Sequence, residues 1–357
     1  MKKYLLTLAI MAGVWMGVMA QPERVGQAGA MELMINSMPR SSGFNGIDIA
    51  SSDGIESSQI NPAGIATTRS TELMFSHTLW LMGTDIRINS FGFSQSLGET
   101  GGKLGILVNS FSLGDFIRTT TDQPDGTLGT FSPTYLNLGI SYAKKFTERI
   151  HVGFTTRIIH QSTPEVAANG VAFDAGIQYR TGLKDRLKLG ISLRNVGPTM
   201  QYSGDGLANR VIYETNSNYT TTVTLPTAKF ELPSTLSMGG SYDFFIGSSN
   251  TISLLAGFIS NSFYYNQFGA GLAYKYKQYV ILRGSFLYEE GIFGDYFDTR
   301  YTAFTGAAAG ATFQVPFKNG KTDQRGNAEF STFSLDLSYR TTSPFDGTLV
   351  VGARIDL

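Results

Sequence analysis

Three histidines, His77, His151 and His160, are the only imidazoles in 357 residues, and there is no cysteine. Acid–base, nucleophilic or metal chemistry needs two or three such groups converging on one point. The sequence holds no G-x-S-x-G, no H-E-x-x-H and no phosphate-binding loop. His151 and His160 have opposite parity on one candidate strand, so they face opposite sides of it. Asp122 to Gly126 (D-Q-P-D-G) and Asp295 to Asp298 (D-Y-F-D) pair carboxylates that could hold calcium. Neither has the spacing of a calcium loop, and both read as turns. No enzymatic activity, cofactor or metal is expected.

What remains is charge on strand faces. Arg157, Arg180, Arg186, Lys188, Arg194, Arg340 and Arg354 alternate with apolar neighbours, and Asp174, Asp336 and Asp356 share their side of the wall. Mixed signs on neighbouring strands favour cross-strand pairing over a conducting lining. A diffusion pore stays as an alternative.

The elements that carry these charges alternate with period two. Leu187, Leu189, Ile191 and Leu193 oppose Arg186, Lys188, Gly190, Ser192 and Arg194; Val171, Phe173, Ala175, Ile177 and Tyr179 oppose Ala172, Asp174, Gly176, Gln178 and Arg180. The same division holds over Phe268 to Tyr276, Phe333 to Arg340 and Leu349 to Leu357. Strands of a soluble sandwich run to about five or six residues, whereas a tilted membrane-spanning strand needs about nine to eleven. Fourteen are predicted: 72–80, 86–97, 103–113, 133–146, 149–161, 170–181, 186–196, 232–243, 250–260, 265–277, 279–289, 301–314, 328–341 and 347–357. Parity switches between Ile88 and Phe91, as a bulge would require, and Lys103 to Leu113 is apolar on both faces.

Connections fall into two classes. Thr147-Glu148, Gly182 to Asp185, Gly247 to Ser249 and Gln278 are tight, with Val315 to Asn327 the long exception at that rim; Gly114 to Ser132, Gly197 to Glu231 and Glu290 to Arg300 are long. Tight turns at one rim and long loops at the other are the pattern of outer-membrane barrels, and closure removes edge groups that cost several kcal/mol each in lipid. The expected fold is all-β: a closed transmembrane antiparallel barrel of about fourteen strands, residues 71–357.

Residues 1–20, with Lys2-Lys3, an apolar run and Val18-Met19-Ala20, form a signal peptide. Without Lys2 and Lys3 the 28 basic side chains fall to 26 against 28 acidic ones, a balance that excludes nucleic acid as a partner. Residues 21–70 are too small and polar for a domain, yet fourteen strands enclose more space than wall side chains fill. The segment is expected to fold into the lumen as a hatch, with short helical pieces at Val25 to Ile35 and Ile55 to Gln59. Its end is the Asn61-Pro62 turn, where proline withholds a donor and drives Asn61 out of the α region.

Gly26-Gln-Ala-Gly-Ala30, Ile60-Asn-Pro-Ala-Gly-Ile-Ala66 and Leu189-Gly-Ile-Ser-Leu-Arg-Asn-Val-Gly-Pro198 resemble the PorV/PorQ outer-membrane proteins of Bacteroidota. That family is similar in fold to the FadL-type fatty acid transporters. Gly352 to Leu357 resembles a barrel-assembly signal, with Leu357 in place of the commoner terminal aromatic. The resemblance implies type IX secretion, with the giant translocon barrel and secreted proteins bearing carboxy-terminal sorting domains as partners. It also implies an outer-membrane location, with turns and both termini periplasmic and long loops outside. Tyr202, Tyr213, Tyr219 and Phe230, in the longest loop, are the candidate partner contacts, since aromatics give large contact area at modest entropy cost. The alternative is a FadL-like carrier of hydrophobic small molecules, with a ligand in the lumen, an apolar pocket beneath the outer loops and a gap in the wall near a bulge.

Overall fold

The computed structural model describes residues 24–98, 100–120, 122–126, 128–213, 219–247, 249–294, 300, 302–322 and 328–357. Residues 1–20 and Asp295 to Asp298 lie outside these. Fourteen antiparallel strands close into one barrel. They are β1 (Thr71–Leu79), β2 (Arg87–Ser96), β3 (Lys103–Ser112), β6 (Thr134–Lys145), β7 (Ile150–Ser162), β8 (Ala167–Thr181), β9 (Leu187–Val196), β12 (Thr235–Ile246), β13 (Asn250–Asn261), β14 (Gln267–Tyr276), β15 (Val280–Glu289), β16 (Phe304–Thr322), β17 (Ala328–Thr342) and β18 (Thr348–Asp356). Each barrel strand pairs with its neighbours in the chain, and β1 pairs with β18 to seal the wall. Two small hairpins lie in long connections: β4 (Phe116–Ile117) with β5 (Thr130–Phe131), and β10 (Ala208–Tyr213) with β11 (Tyr219–Thr224).

Alternation decides which way each side chain points. Phe75, Phe91, Ile140, Ile177, Ile191, Leu272 and Leu335 stand outward, each between 47 and 52% exposed. So continuous an apolar belt would be an aggregation surface in water, and it is what a hydrocarbon solvent requires. The intervening residues Ser76, Ser90, Asn137, Thr155, Gln178, Ser192 and Asp336 are buried inside.

Three sequence expectations change. Register between β1, β2 and β3 is continuous, so no bulge separates Ile88 from Phe91; Ile88 simply points inward and is fully buried. Leu107 and Phe111 of β3 are likewise inward and buried, which accounts for its two apolar faces. Most of Val315 to Asn327 is strand: β16 runs on to Thr322 against β17, past the last β15 pairing at Val280–Phe313. Pro316 masked this extension. Gln314 donates its N–H to Tyr279 on the β15 side, and two residues on, where Pro316 lacks an N–H, that side has no neighbour. Finally, Val25 to Ile35 contains only one 3-10 turn, Met31–Met34, because Gly26 and Ala30 take positive φ of 80° and 50°. The 3-10 turn at Ile55–Gln59 lies where it was expected.

Genuine bulges occur elsewhere. Asn195, at φ 58°, is an extra residue in β9 between the Phe173–Val196 and Ala175–Leu193 pairs. β16 carries extra residues between Phe304 and Ala308, around Gly306.

From Ala30 to Thr68 the chain packs against inward-facing wall residues. Met38, Ile47, Ile49, Ile55, Ile60 and Ile65 are at most 3% exposed, and at about 2 kcal/mol each their burial contributes on the order of 10 kcal/mol before ordering entropy. Close approach is possible because the wall offers glycines. Gly190 on β9, Gly239 on β12, Gly257 on β13 and Gly269 on β14 are consecutive register partners, and Ile47 to Ala50 lies across them. A β-carbon would come within 2.9 Å of Ile47 Cβ at Gly257 and within 2.5 Å of Ile49 O at Gly190. Asn61-Pro62-Ala63 presses in the same way on Gly153 of β7 and Gly176 of β8.

Candidate functional site

Above residues 30–68, at the long-loop rim, lies a cavity of about 650 Å³. Its floor is the opening segment: Met31, Met34, Ile35, Asn36, Asn45, Gly46, Gln59 and Ile60. Its walls are strand ends, with Trp80 and Ile86 between β1 and β2, Phe111 on β3, Tyr135 on β6, Ile259 on β13, Leu287 on β15 and Phe304 on β16. Trp80 and Phe304 meet edge to face with ring centres 5.3 Å apart. The lining is apolar over most of its area, as small-molecule sites are, with amide side chains such as Asn36, Gln59, Gln161 and Asn261, and hydroxyl and charged ones, among it.

The roof is the loop after β9. Met200 and Phe230 exchange backbone hydrogen bonds of 2.9 Å, and Met200 sits fully buried with Ile159, Ala168, Ala172 and Leu232. Tyr202 stacks obliquely on Phe230 at 5.7 Å and donates its hydroxyl to Gln161 Oε1; Gln161 Nε2 in turn donates to Glu32 Oε1 at 2.7 Å. Burial pushes the Glu32 carboxyl up, and the Gln161 bond only partly offsets this. Tyr202 and Phe230 thus both line the cavity. Tyr213 and Tyr219 are backbone register partners in the β10–β11 hairpin.

Two guanidiniums line the cavity together with the Glu32 carboxyl. Arg194 donates to Gln59 O, and its Nε is buried without a partner. Arg340 stacks over Phe304, 3.8 Å from the ring centre, and donates its Nε to Asn45 Oδ1 at 3.0 Å. Among the described residues Arg340 makes no ion pair at contact distance, although the buried Glu289 carboxylate lies close enough to act on it electrostatically.

Several of the other inward charges pair with one another, while Arg180 bonds to Gln178, Arg186 to Tyr242 and Arg283 to Thr312 without an ion pair among the described residues. Arg157 meets Asp174 at 2.6 Å and Lys188 meets Asp243 at 2.8 Å. Arg354 bridges Glu72 and Asp356 at 2.9 Å and Asp53 at 3.2 Å, while Arg40 reaches Asp336 at 3.0 Å and Glu56 and Asp53 at 3.7 Å. These last two arginines tie the opening segment to β1, β17 and β18. Burial raises the Glu56 carboxyl despite Arg40 beside it. For Asp53 burial acts the same way, but its side chain is 51% exposed, and Arg354 and Arg40 prevail and hold it below the usual range. Near the short-turn rim a second, polar cavity of about 170 Å³ lies between Arg40, Asp48, Asp53, Lys188, Asp243 and Arg283.

The turn residues occupy the glycine contacts. Asn61 is extended, at φ −151° and ψ 103°, and its Oδ1 accepts the Ala63 N–H at 3.2 Å. Its Nδ2 donates to Ile49 O at 2.9 Å and to Ile177 O at 3.1 Å, the latter on β8. The histidines are dispersed: His77 faces outward beside Asn89 at 2.7 Å, His160 beside Asn169 at 2.7 Å, and His151 is buried inside. No group of metal-ligating side chains occurs among the described residues. Asp122 to Gly126 is an exposed turn, Gly126 at φ 77°. Sequence reasoning placed Arg194 and Arg340 inside but did not connect them with Trp80, Phe111 or Phe304, since only the ring closure brings those strand ends together.

No protein-family model matches this chain, and no curated protein does, so the PorV/PorQ resemblance rests on its own residues alone. Solved structures do match. The toluene transporter TbuX of Ralstonia pickettii has a TM-score of 0.52 at 15% identity, covering 89% of this chain and 96% of that one. The toluene transporter TodX of Pseudomonas putida scores 0.50 at 13% identity, over 88% and 96%. A TodX deletion mutant, described as a monoaromatic hydrocarbon channel, scores 0.51 at 14% identity, over 89% and 97%. Identities this low speak for architecture only: the chain has the closed fourteen-stranded fold of outer-membrane barrels of this kind.

Proposed function

We propose that the protein carries hydrophobic small molecules bearing one anionic end across the outer membrane, entering from the long-loop side. The observation that carries this reading is the cavity beneath the loop after β9, an aromatic chamber of about 650 Å³ in which Arg340 has no ion-pair partner. Apolar walls supply affinity through area removed from water, and Arg340, whose direct hydrogen bond is to the neutral Asn45 amide, gains a charge-assisted bond from a ligand carboxylate. The toluene transporters with the same fold support the apolar half of the reading; the guanidiniums point to the charged end. In this orientation the tight turns and both ends of the barrel are periplasmic.

The cavity reading differs from the type IX one in what the lumen is for. A barrel that only docks a translocon and exported proteins has no use for a chamber, and two of its four candidate contact aromatics, Tyr202 and Phe230, face that chamber. Affinity isolation of the tagged protein from its native outer membrane, with mass spectrometry of lipid and protein fractions, separates the two. A bound amphiphilic acid is expected. Recovery of a giant barrel with sorting-domain proteins, and no small amphiphile, would contradict the carrier reading.

A further inference from the structure

The outer cavity and the smaller inner one, which is lined by more charged side chains, meet the opening segment on either side of one turn. Asn45 and Gly46 line the outer cavity, while Ser41, Phe44 and Asp48 line the inner one. Around this turn the segment is held firmly, by Asn61 on Gly176 and by Arg40 and Arg354 in their ion pairs. The turn itself is held differently. Both Asn45 and Gly46 have positive φ, 53° and 78°, and a β-carbon on Gly46 would meet nothing closer than 3.6 Å. Its side-chain bonds to the wall run through Asn45, whose Nδ2 donates to Ser285 Oγ and to Gly306 O, each at 3.0 Å, and whose Oδ1 accepts from Arg340. The Ser285 hydroxyl adds one bond, to Gly43 O at 3.2 Å.

We propose that the Gly43–Gly46 turn is the gate between the two cavities, and that Arg340 is its latch. This rests on the carrier reading and deepens it. The group that attracts the ligand's anionic end is the same guanidinium that holds Asn45. A carboxylate offers Arg340 a charged, bidentate partner in place of a neutral amide oxygen, and charge-assisted bonds are the stronger. Ligand arrival therefore competes with Asn45 for Arg340, releasing one of the bonds that close the turn. Only the turn moves, and the ion-paired remainder of the segment stays in place. A ligand shifts such an equilibrium only by its differential affinity for the two states, and here that difference is the exchange of partners at Arg340.

The absence of cysteine permits a clean test in planar bilayers. Removing the Asn45 bonds with N45A should raise basal conductance about tenfold, from the loss of bonds worth that factor or more, and abolish its dependence on added dodecanoate. In N45C/S285C, oxidation should hold conductance at the wild-type basal level with or without dodecanoate, and reduction should release it to the raised, dodecanoate-independent level of N45A. Wild-type conductance in N45A, or an oxidised double variant that opens as freely as the reduced one, would overturn the gate. Failure of the wild-type protein to bind dodecanoate would overturn the carrier reading separately, because the N45A conductance needs no ligand.

Discussion

Asn61 Oδ1 occupies the space that a β-carbon at Gly176 would need, so the turn and the wall strand fit only with glycine at that position. The same residue's Nδ2 holds the Ile177 carbonyl of β8 and the Ile49 carbonyl of the segment. N61A removes both bonds, while Ile49 O keeps the Gln178 Nε2 bond at 3.2 Å, so the loss is about 0.5–1.5 kcal/mol per bond. The barrel itself does not depend on them. Trypsin should therefore cut N61A and G176V at Arg40 or Arg69 faster than the parent while the wall stays intact, as limited digestion in detergent followed by mass spectrometry would show. Equal resistance in all three would mean the turn does not seat the segment.

Arg157 and Asp174 form a pair whose side chains are only 4% and 0% exposed. Truncating one partner strands the other charge, typically at a cost of about 3–5 kcal/mol, whereas neutralising both costs less. R157M should lower the melting temperature more than R157M/D174N does, measured by circular dichroism in the same micelles. The reverse order would place the wall's stability elsewhere.

Asp48 carries a pH signature. Burial raises its carboxyl from 3.8 to about 6, against the opposing hydrogen bond from Ser41. Between about pH 4 and 6 the folded chain therefore holds a proton that the unfolded chain has released. The Asp48 contribution falls as pH rises through that window and is level above it, with a full effect on the order of 3 kcal/mol. Glu56, raised by burial to about 8, adds a slope of the same sign that continues to higher pH. Asp53 is held low, so its contribution is lost only below this window. D48N should flatten the slope between pH 4 and 6 in a series of thermal melts, and an unchanged slope would assign the titration to another group.

Ile191 projects from β9 with 52% of its surface exposed. If that surface meets hydrocarbon, I191K should cost about 2–4 kcal/mol near the bilayer midplane. Refolding titrations into phospholipid vesicles would measure it. A neutral result would place Ile191 outside the hydrocarbon.

Much of this architecture was legible because the bilayer enforces strict alternation. Leu187 to Arg194 announces one wet and one greasy face without any tertiary knowledge, and fourteen such runs with two classes of connection imply closure. The errors arose where an inward residue answers to the segment in the lumen instead of to water. Leu107 is apolar and inward because Met38 and Ile55 pack on that side, and Ile88 is likewise inward and fully buried, so parity looked broken at Ile88 and two-faced at Leu107. Pro316 hid the extension of β16 because a missing N–H signals nothing about whether a neighbour needs it. The cavity was the least legible part. Trp80, Phe111, Phe304 and Arg340 are far apart in the chain, and periodicity gives their facing but not their height or their neighbours. The glycine path, by contrast, could have been found: Gly153, Gly176, Gly190, Gly239, Gly257 and Gly269 all fall on the inward parity, where a groove for another backbone is the simplest use of a missing side chain.

Of the two tryptophans in the sequence, Trp15 belongs to the expected signal peptide, which leaves Trp80 as the single indole of the mature chain, on the cavity wall. Its fluorescence reports directly on the chamber. Titrating the purified mature protein with dodecanoate should give a saturable change, and R340Q should weaken it about tenfold by removing a charge-assisted bond while leaving the response to an uncharged alkane unaltered. No saturable change at Trp80, or identical curves for the parent and R340Q, would contradict a cavity built for hydrophobic molecules with an anionic end.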